Sequence, residues 1–439
     1  MIMHTEPPAR IASDPELLTE TIFTWQAPPL KLGLGATAEI GADLRRLGVH
    51  SVLVITDPVV ARLGLPDRVA RLIETVGIDA TVVARVRVEP SDHSCEELAR
   101  ELSGTAADGF VAVGGGSTID TAKVLNLLLT YPQVRLREYL NKPIGDAHPV
   151  PGPLRPLVAV PTTAGSGSEC TAMIALDIVS ERTKTGIADR RITPSLALVD
   201  PLNTVTMPPA VTAASGYDVL THACESYTAR PFDRRPRCLS PDARPIYVGA
   251  NPISDVWAEQ ALALCGRYFV RAVVNPYDLE AREGMSRAAT FVGVGFGNAG
   301  THVPHACAYP LASQVTGYRP RDYGIDRPFL PHGEAVVATA AAAFEFTYPT
   351  APERHLRAAE LLGADVRGAT PGNGHDMLPQ VITSLIDATG GPRGIGAFGY
   401  DAKDVRGLVE GAMKQQRLLS CCPRDVCDSD LARILHRSL

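Results

Sequence analysis

Between about Gly33 and Pro201, short apolar runs rich in β-branched residues alternate with amphipathic stretches. The runs Ser51–Thr56, Asp79–Val83, Phe110–Val113, Leu157–Val160 and Leu196–Val199 have the length and composition of buried strands. Strand and helix in that rhythm predict βαβ units on a mainly parallel sheet. After about Asn203 the period changes to that of a helix. It runs from Val211 to the C-terminus, through Ala- and Leu-rich segments such as Ala335–Phe346 and Glu353–Leu362. The chain thus reads as an arm over 1–25, an α/β domain over 26–204 and an all-helical domain over 205–439. The segment Arg230–Pro252, rich in Pro and Arg, breaks the helical pattern and predicts a long ordered loop, a type that is often functional.

Composition narrows the class. A chain of 439 residues is long enough for two sizeable cores. With 45% hydrophobic and 21% charged residues it resembles an ordinary soluble enzyme. A net charge of −6 gives no support for a nucleic-acid partner. No apolar run is long enough to span a bilayer. Arg10 is the sole Lys or Arg among the first twenty residues, which also hold Glu6, Asp14, Glu16 and Glu20. That is unlike a secretory signal or a transit peptide, so a cytoplasmic protein is expected. The nine cysteines contain no C-x-x-C pair, and the cluster Cys421, Cys422 and Cys427 does not match zinc spacing. They read as reduced structural thiols.

Two strand ends carry glycine-rich loops. Gly114-Gly115-Gly116-Ser117-Thr118-Ile119-Asp120-Thr121-Ala122-Lys123 follows Phe110–Val113 and leads into a helix. Three glycines let backbone N–H groups approach a phosphate. A tight βα turn that binds nothing fits the same residues. Pro161-Thr162-Thr163-Ala164-Gly165-Ser166-Gly167-Ser168-Glu169 follows the next strand. Ligands of open α/β sheets bind at the carboxyl ends of strands, so two such loops suggest one nucleotide touched twice. Hydroxyl residues there also serve as caps.

Together the two runs resemble the iron-dependent alcohol dehydrogenase family (group III). The resemblance implies that the Gly114, Gly115, Gly116, Ser117 and Asp120 turn holds the pyrophosphate of NAD(P). It implies that Thr162, Thr163 and Ser166 line the nicotinamide side, and that Lys184 lies near the nicotinamide ribose. Asp57 follows the strand Ser51–Thr56. A carboxylate there binds the adenosine ribose and repels a 2′-phosphate, which favours NAD; a helix N-cap is the other reading.

In the helical half, Asp218 and His222 are four residues apart and share a helix face. A carboxylate and an imidazole projecting together form half a metal site. His305 and His332 come later, in H-V-P-H and P-H-G contexts. One Asp and three His suit Fe²⁺ or Zn²⁺. The family resemblance assigns these four as the ligands, with iron first and zinc as the alternative. The family often has histidine four residues after the third ligand, in a proton relay; here that position is Tyr309. Tyr309 and His302 are the two residues considered for the relay, His302 having a packing role as its alternative.

Longer stretches resemble one branch of the family, the hydroxyacid–oxoacid transhydrogenases. They include Asn251–Ala258, Gly295–Gly300 and Arg321–Pro328. The resemblance implies hydride transfer from a hydroxyacid such as 4-hydroxybutyrate to an oxoacid such as 2-oxoglutarate through bound NAD. The metal would act as a Lewis acid on the hydroxyl. Arg230, Arg234, Arg235, Arg237 and Arg244 crowd the long loop, and one or two of them are expected at the substrate carboxylate. The expected partners are small molecules and a second copy of the chain in a homo-oligomer, a dimer. Three rivals stand beside this reading: an NAD-dependent alcohol dehydrogenase with exchangeable cofactor, a dehydroquinate-synthase-like lyase, and a non-catalytic binding protein.

Overall fold

The structure is a computed structural model and describes residues 19–439. The first eighteen residues of the expected arm lie outside it. The arm's last residues are packed. Thr19 bridges to Pro236, and the Glu20 N–H donates to the Arg235 carbonyl at 2.8 Å. The Phe23 ring meets the edge of Phe232 at 4.8 Å. The tail thus lies against the long loop, tied down by backbone and aromatic contacts.

Six parallel strands form the main sheet: β1 (Leu30–Leu32), β2 (Ser51–Thr56), β3 (Asp79–Ala84), β4 (Gly109–Gly114), β5 (Leu157–Pro161) and β8 (Leu196–Val199). Their order is β1-β8-β5-β4-β2-β3. All five apolar runs are strands. The central strands β4 and β5 are buried along their whole length, as continuous Val-rich runs in a parallel sheet should be. β1 has three residues, too few to register as a periodic run.

β6 (Met173–Ile178) and β7 (Thr183–Ala188) form a separate antiparallel hairpin. Its pattern is broken by Gly186, where a Cβ would come within 1.9 Å of the Ile174 carbonyl oxygen. The close approach demands glycine, and glycine is a poor strand signal.

The helices that position the site are α1 (Gly116–Thr130), α2 (Pro209–Thr228), α3 (Pro252–Val274), α4 (Leu279–Ala299), α5 (Val303–Gln314) and α6 (His332–Val337). From α2 onward every regular element is helical, with one large apolar core. α2 is buried on nearly every face, including Asp218, His222 and Glu225. α2 and α3 approach closely at Gly216, where a Cβ would lie 2.0 Å from Phe269. The domains are clasped by Asn298 of α4, which accepts from the Gln26 N–H and donates to the Gln26 carbonyl, both at 2.9 Å. The Arg230–Pro252 segment is a loop with two short 3-10 turns. All nine cysteines are free thiols, seven of them buried. Among the described residues no helix is long and apolar enough to cross a membrane.

Candidate active site

A cleft of about 570 Å³ runs between the carboxyl ends of the sheet strands and the helices α2, α4, α5 and α6. At one end β4 stops at Gly114, Gly115 caps α1 and the helix starts at Gly116. The glycines admit a neighbouring loop as well as a ligand. A Cβ on Gly115 would lie 3.2 Å from Thr163, and one on Gly116 would lie 2.6 Å from Ser166 Oγ. Gly115, Gly116, Ser117, Thr162, Thr163 and Ser166 line the cleft. Gly114 does not; its carbonyl accepts from the Thr162 N–H at 3.0 Å and ties the two loops together. Ser117 Oγ accepts from the Glu89 N–H at 3.0 Å.

Asp120 lines the cleft, and one of its oxygens accepts from the Ala175 N–H at 2.9 Å. Burial raises its carboxyl above the usual range. Lys123, the last residue of the motif, is fully buried. Its ammonium donates to the carbonyls of Ser168, Thr171 and Met173 at 2.7–2.9 Å. It is a strut that fixes the second glycine loop to the first helix. Lys184 also lines the cleft, paired with Glu89 at 2.7 Å and Asp177 at 3.0 Å. Asp57 lines the cleft's far end, and its Oδ1 caps the Pro58–Arg62 helix, accepting from Val59 and Val60 N–H at 2.8 and 3.0 Å. The capping role is therefore real.

Asp218, His222, His305 and His332 come together at the other end. Ligand atoms of Asp218, His222 and His305 all lie within 4.8 Å of one another. Asp218 Oδ1 is central: it lies 3.3 Å from His222 Nδ1, 3.6 Å from His305 Nε2 and 3.9 Å from His332 Nε2. The first three of those atoms are buried and have no hydrogen-bond partner. Buried polar atoms are seldom left unpaired, so converging orphans of this kind fit a bound ion. Asp218 and two imidazoles are a donor set for a borderline divalent cation, and His332 adds a third.

The local sequence explains each placement. Asp218 and His222 share one face of α2. The His222 ring stacks on Phe296 of α4 at 3.9 Å and on His305 at 4.3 Å. His305 is one turn inside α5. His332 opens α6, and Gly333 behind it is obligatory: a Cβ there would lie 1.8 Å from the Ala214 carbonyl oxygen. The glycine of P-H-G lets α6 dock flush against α2.

Electrostatics follow from this packing. Burial opposes ionisation of Asp218, but the imidazoles of His222, His332 and His305 outweigh it and hold the carboxyl well below its usual range. Burial pushes His222 down to about 3, so it stays neutral, as a ligand must. Burial also opposes charge on His305, but Glu225 and Asp218 override it and lift His305 to about 9, so an ion bound at Nε2 would have to displace a proton there.

Glu225 is a residue at the site that the sequence reading missed. It is fully buried on α2. Its Oε2 meets His305 Nδ1, and its Oε1 accepts from the His302 and His305 backbone N–H groups at 2.7 and 3.3 Å. Its spacing was the available signal: Asp218, His222 and Glu225 stand at i, i+4 and i+7 on one face. Pairing at Nδ1 fixes the tautomer that leaves Nε2 for a metal.

The relay residues separate. Tyr309, one turn beyond His305 on α5, lines the cleft, with its ring 6.1 Å from that of His332. His302 is fully buried and is not among the lining residues. Its Nε2 meets Thr228 Oγ1 at 3.2 Å, and its ring packs edge-on against Phe344. It is turned into the core, the position of its packing alternative. None of the loop arginines lines the cleft. Arg230 pairs with Asp425 at 2.7 Å and Arg244 with Glu20 at 3.4 Å. Arg235 lies against Cys421 Sγ, and Arg234 and Arg237 point to solvent. The loop's charges serve its own anchoring. Arg417 does line the cleft, near the C-terminus, where the sequence reading assigned nothing.

Comparison with known proteins decides the family. Residues 28–201 match the model of the iron-containing alcohol dehydrogenases, and residues 246–439 match that of the C-terminal domain of the same family. The chain belongs to the iron-containing alcohol dehydrogenase family. It is thus an oxidoreductase. The Bos taurus protein named hydroxyacid-oxoacid transhydrogenase, mitochondrial, is 43% identical over 99% of this chain and 94% of its own. The Rattus norvegicus protein of the same name is 43% identical over 96% and 90%. A crystal structure of 1,3-propanediol oxidoreductase superposes with a TM-score of 0.83 at 27% identity, covering 95% of this chain and all of that one. Within the iron-containing alcohol dehydrogenases, the chain is thus similar to the transhydrogenases along nearly its full length. The same relatives overturn the cytoplasmic expectation, because they are named mitochondrial. Reduced thiols and an acidic composition do not separate one reducing compartment from another, and the first eighteen residues lie outside the described structure.

Proposed function

We propose that this oxidoreductase moves hydride between a hydroxyacid of the 4-hydroxybutyrate type and an oxoacid of the 2-oxoglutarate type, through one bound NAD. The observation that carries the reading is the convergence of Asp218, His222, His305 and His332 at one end of a cleft whose other end is formed by two glycine loops. Similarity to the transhydrogenases over nearly the whole chain supports the substrate class.

An Fe²⁺ ion held by those four side chains would supply a Lewis acid, and the nicotinamide would supply the hydride acceptor. The chain's own residues do the rest. Gly115, Gly116 and Ser117 present the start of α1 to the pyrophosphate. Thr162, Thr163 and Ser166 hold the nicotinamide half, and Lys184 stands at its ribose, kept cationic by Glu89 and Asp177. Asp57 receives the adenosine ribose. Tyr309, whose ring lies beside that of His332, offers a hydroxyl for the substrate proton. Burial of the cleft keeps the reacting groups in place, which is mostly a positioning contribution.

The test mixes enzyme, 4-hydroxybutyrate and 2-oxoglutarate with no free nicotinamide and follows both products. Stoichiometric succinate semialdehyde and 2-hydroxyglutarate are expected. Oxidation that needs added NAD in proportion, and that the oxoacid leaves unchanged, would instead mark a dehydrogenase with exchangeable cofactor.

A further inference from the structure

The cleft is lined by one buried and one half-buried long-chain cation, Lys184 and Arg417, and they differ in one respect. Lys184 is neutralised by two carboxylates. Arg417 has none: among the described residues no carboxylate oxygen lies within 4.0 Å of its guanidinium. Arg417 sits on the short Gln416–Leu419 helix, which packs against α5. Its guanidinium carbon lies 4.5 Å from the centre of the Tyr247 ring, and Nη1 lies 3.9 Å from Met173 Sδ. Tyr247, Met173 and Tyr309 all line the cleft beside it. Arg68, the other arginine of the cleft, is exposed and sits at the Asp57 end.

A half-buried arginine set against a tyrosine ring and a thioether, with no protein carboxylate, gains most when a ligand brings the anion. A guanidinium offers two parallel N–H donors, the geometry a carboxylate takes up. We propose that Arg417 is the anchor for the carboxylate of acid substrates. Tyr309 links the two ends of the substrate. Its ring stands beside His332, in the same cleft that Arg417 lines. A substrate whose hydroxyl faces the metal donors and whose carboxylate meets Arg417 would be gripped at two points. Its chain length is then measured by the protein. The inference rests on the acid-substrate part of the proposed function and replaces the loop arginines as the source of the cation.

The experiment compares Arg417→Met and Arg417→Lys with the unaltered holoenzyme. It reads kcat/KM for 4-hydroxybutyrate and for 1-butanol, an alcohol of equal length without the acid. It also reads succinate binding by calorimetry. The ratio of the two kcat/KM values should fall at least about thirtyfold in Arg417→Met, the scale of a lost buried charge pair, mostly through KM. It should partly recover in Arg417→Lys, and succinate binding should disappear in Arg417→Met. A ratio that stays constant, or succinate binding that survives, overturns the anchor. An unaltered enzyme that handles 1-butanol and 4-hydroxybutyrate equally overturns the acid-substrate reading itself, a different result from the first.

Discussion

Glu225 grips His305 from behind, through Nδ1, while its other oxygen accepts the His302 backbone N–H at 2.7 Å. One carboxylate thus sets both the ring and the backbone of a ligand helix. Removing it frees the ring to rotate and the tautomer to change. Glu225→Ala should lower metal affinity about 10- to 100-fold, with Glu225→Gln retaining part of it. Competitive titration with a chelator measures this. Unchanged affinity in both variants would reduce Glu225 to a packing residue.

Metal content itself is the next check. His222→Ala and His332→Ala should each lose bound metal and activity together, since each removes one of four donors. Atomic absorption on the purified variants decides it. A full complement of metal in both would reject the ligand assignment.

Gly333→Ala should damage the same site without touching a ligand. Its methyl would press on the Ala214 carbonyl, so α6 must move away from α2. Overpacking of this kind costs about 1–3 kcal/mol. The expected result is a lower unfolding midpoint and loss of metal through displaced His332. A midpoint equal to the original would show that the helices adjust freely.

Asp57 bears on cofactor choice. NAD should be preferred over NADP, and Asp57→Gly should relax the preference by about 1–2 kcal/mol, the scale of a solvent-screened like-charge contact. The same variant should lose some stability, because Oδ1 also caps a helix. Fluorescence titration with both nucleotides tests the first effect and urea unfolding the second. Equal affinity of the original protein for both nucleotides would refute the ribose role.

A buried histidine that does not line the cleft gives a pH signature. His355 is 1% exposed, bonded through Nε2 to Thr347 and through Nδ1 to the Ala351 carbonyl. Burial pushes it down to about 4. Its unfolded counterpart takes up a proton near the usual 6.5. The unfolded chain therefore binds more protons between those values. The contribution of His355 is fully present above about pH 6.5 and is lost progressively as pH falls toward 4, by about 3 kcal/mol in all. Urea unfolding at pH 7, 6 and 5 should show His355→Gln less acid-sensitive than the original by nearly one proton. Parallel stability curves would contradict this.

The parts of the molecule that were legible in sequence are those with a short local period. The Val-rich runs of β4 and β5 announce a parallel sheet because both faces are buried. Asp218 and His222 announce half a metal site because a helix puts i and i+4 together. Convergence of His305 and His332 was carried by family likeness, since 83 and 114 residues separate them from His222 and Asp218 in the chain. What escaped depended on tertiary contact. The β6–β7 hairpin is masked by a glycine that only its partner strand requires. Arg417 looks like any surface arginine until a helix from the far end of the chain swings it over Tyr247. The arginines of the long loop misled for the converse reason: their number suggested a purpose, yet folding spends them on Glu20, Asp425 and solvent.

All four proposed metal donors belong to the helical half, and the glycine loops belong to the sheet half, with Asn298 and Gln26 clasping the two. The halves are thus separately equipped. Stripping the ion should soften the helical half alone, and a chain freed of iron should still capture its nucleotide. On that reading an iron-starved molecule should need only the ion, delivered into a partly assembled enzyme, with no need to unfold and begin again.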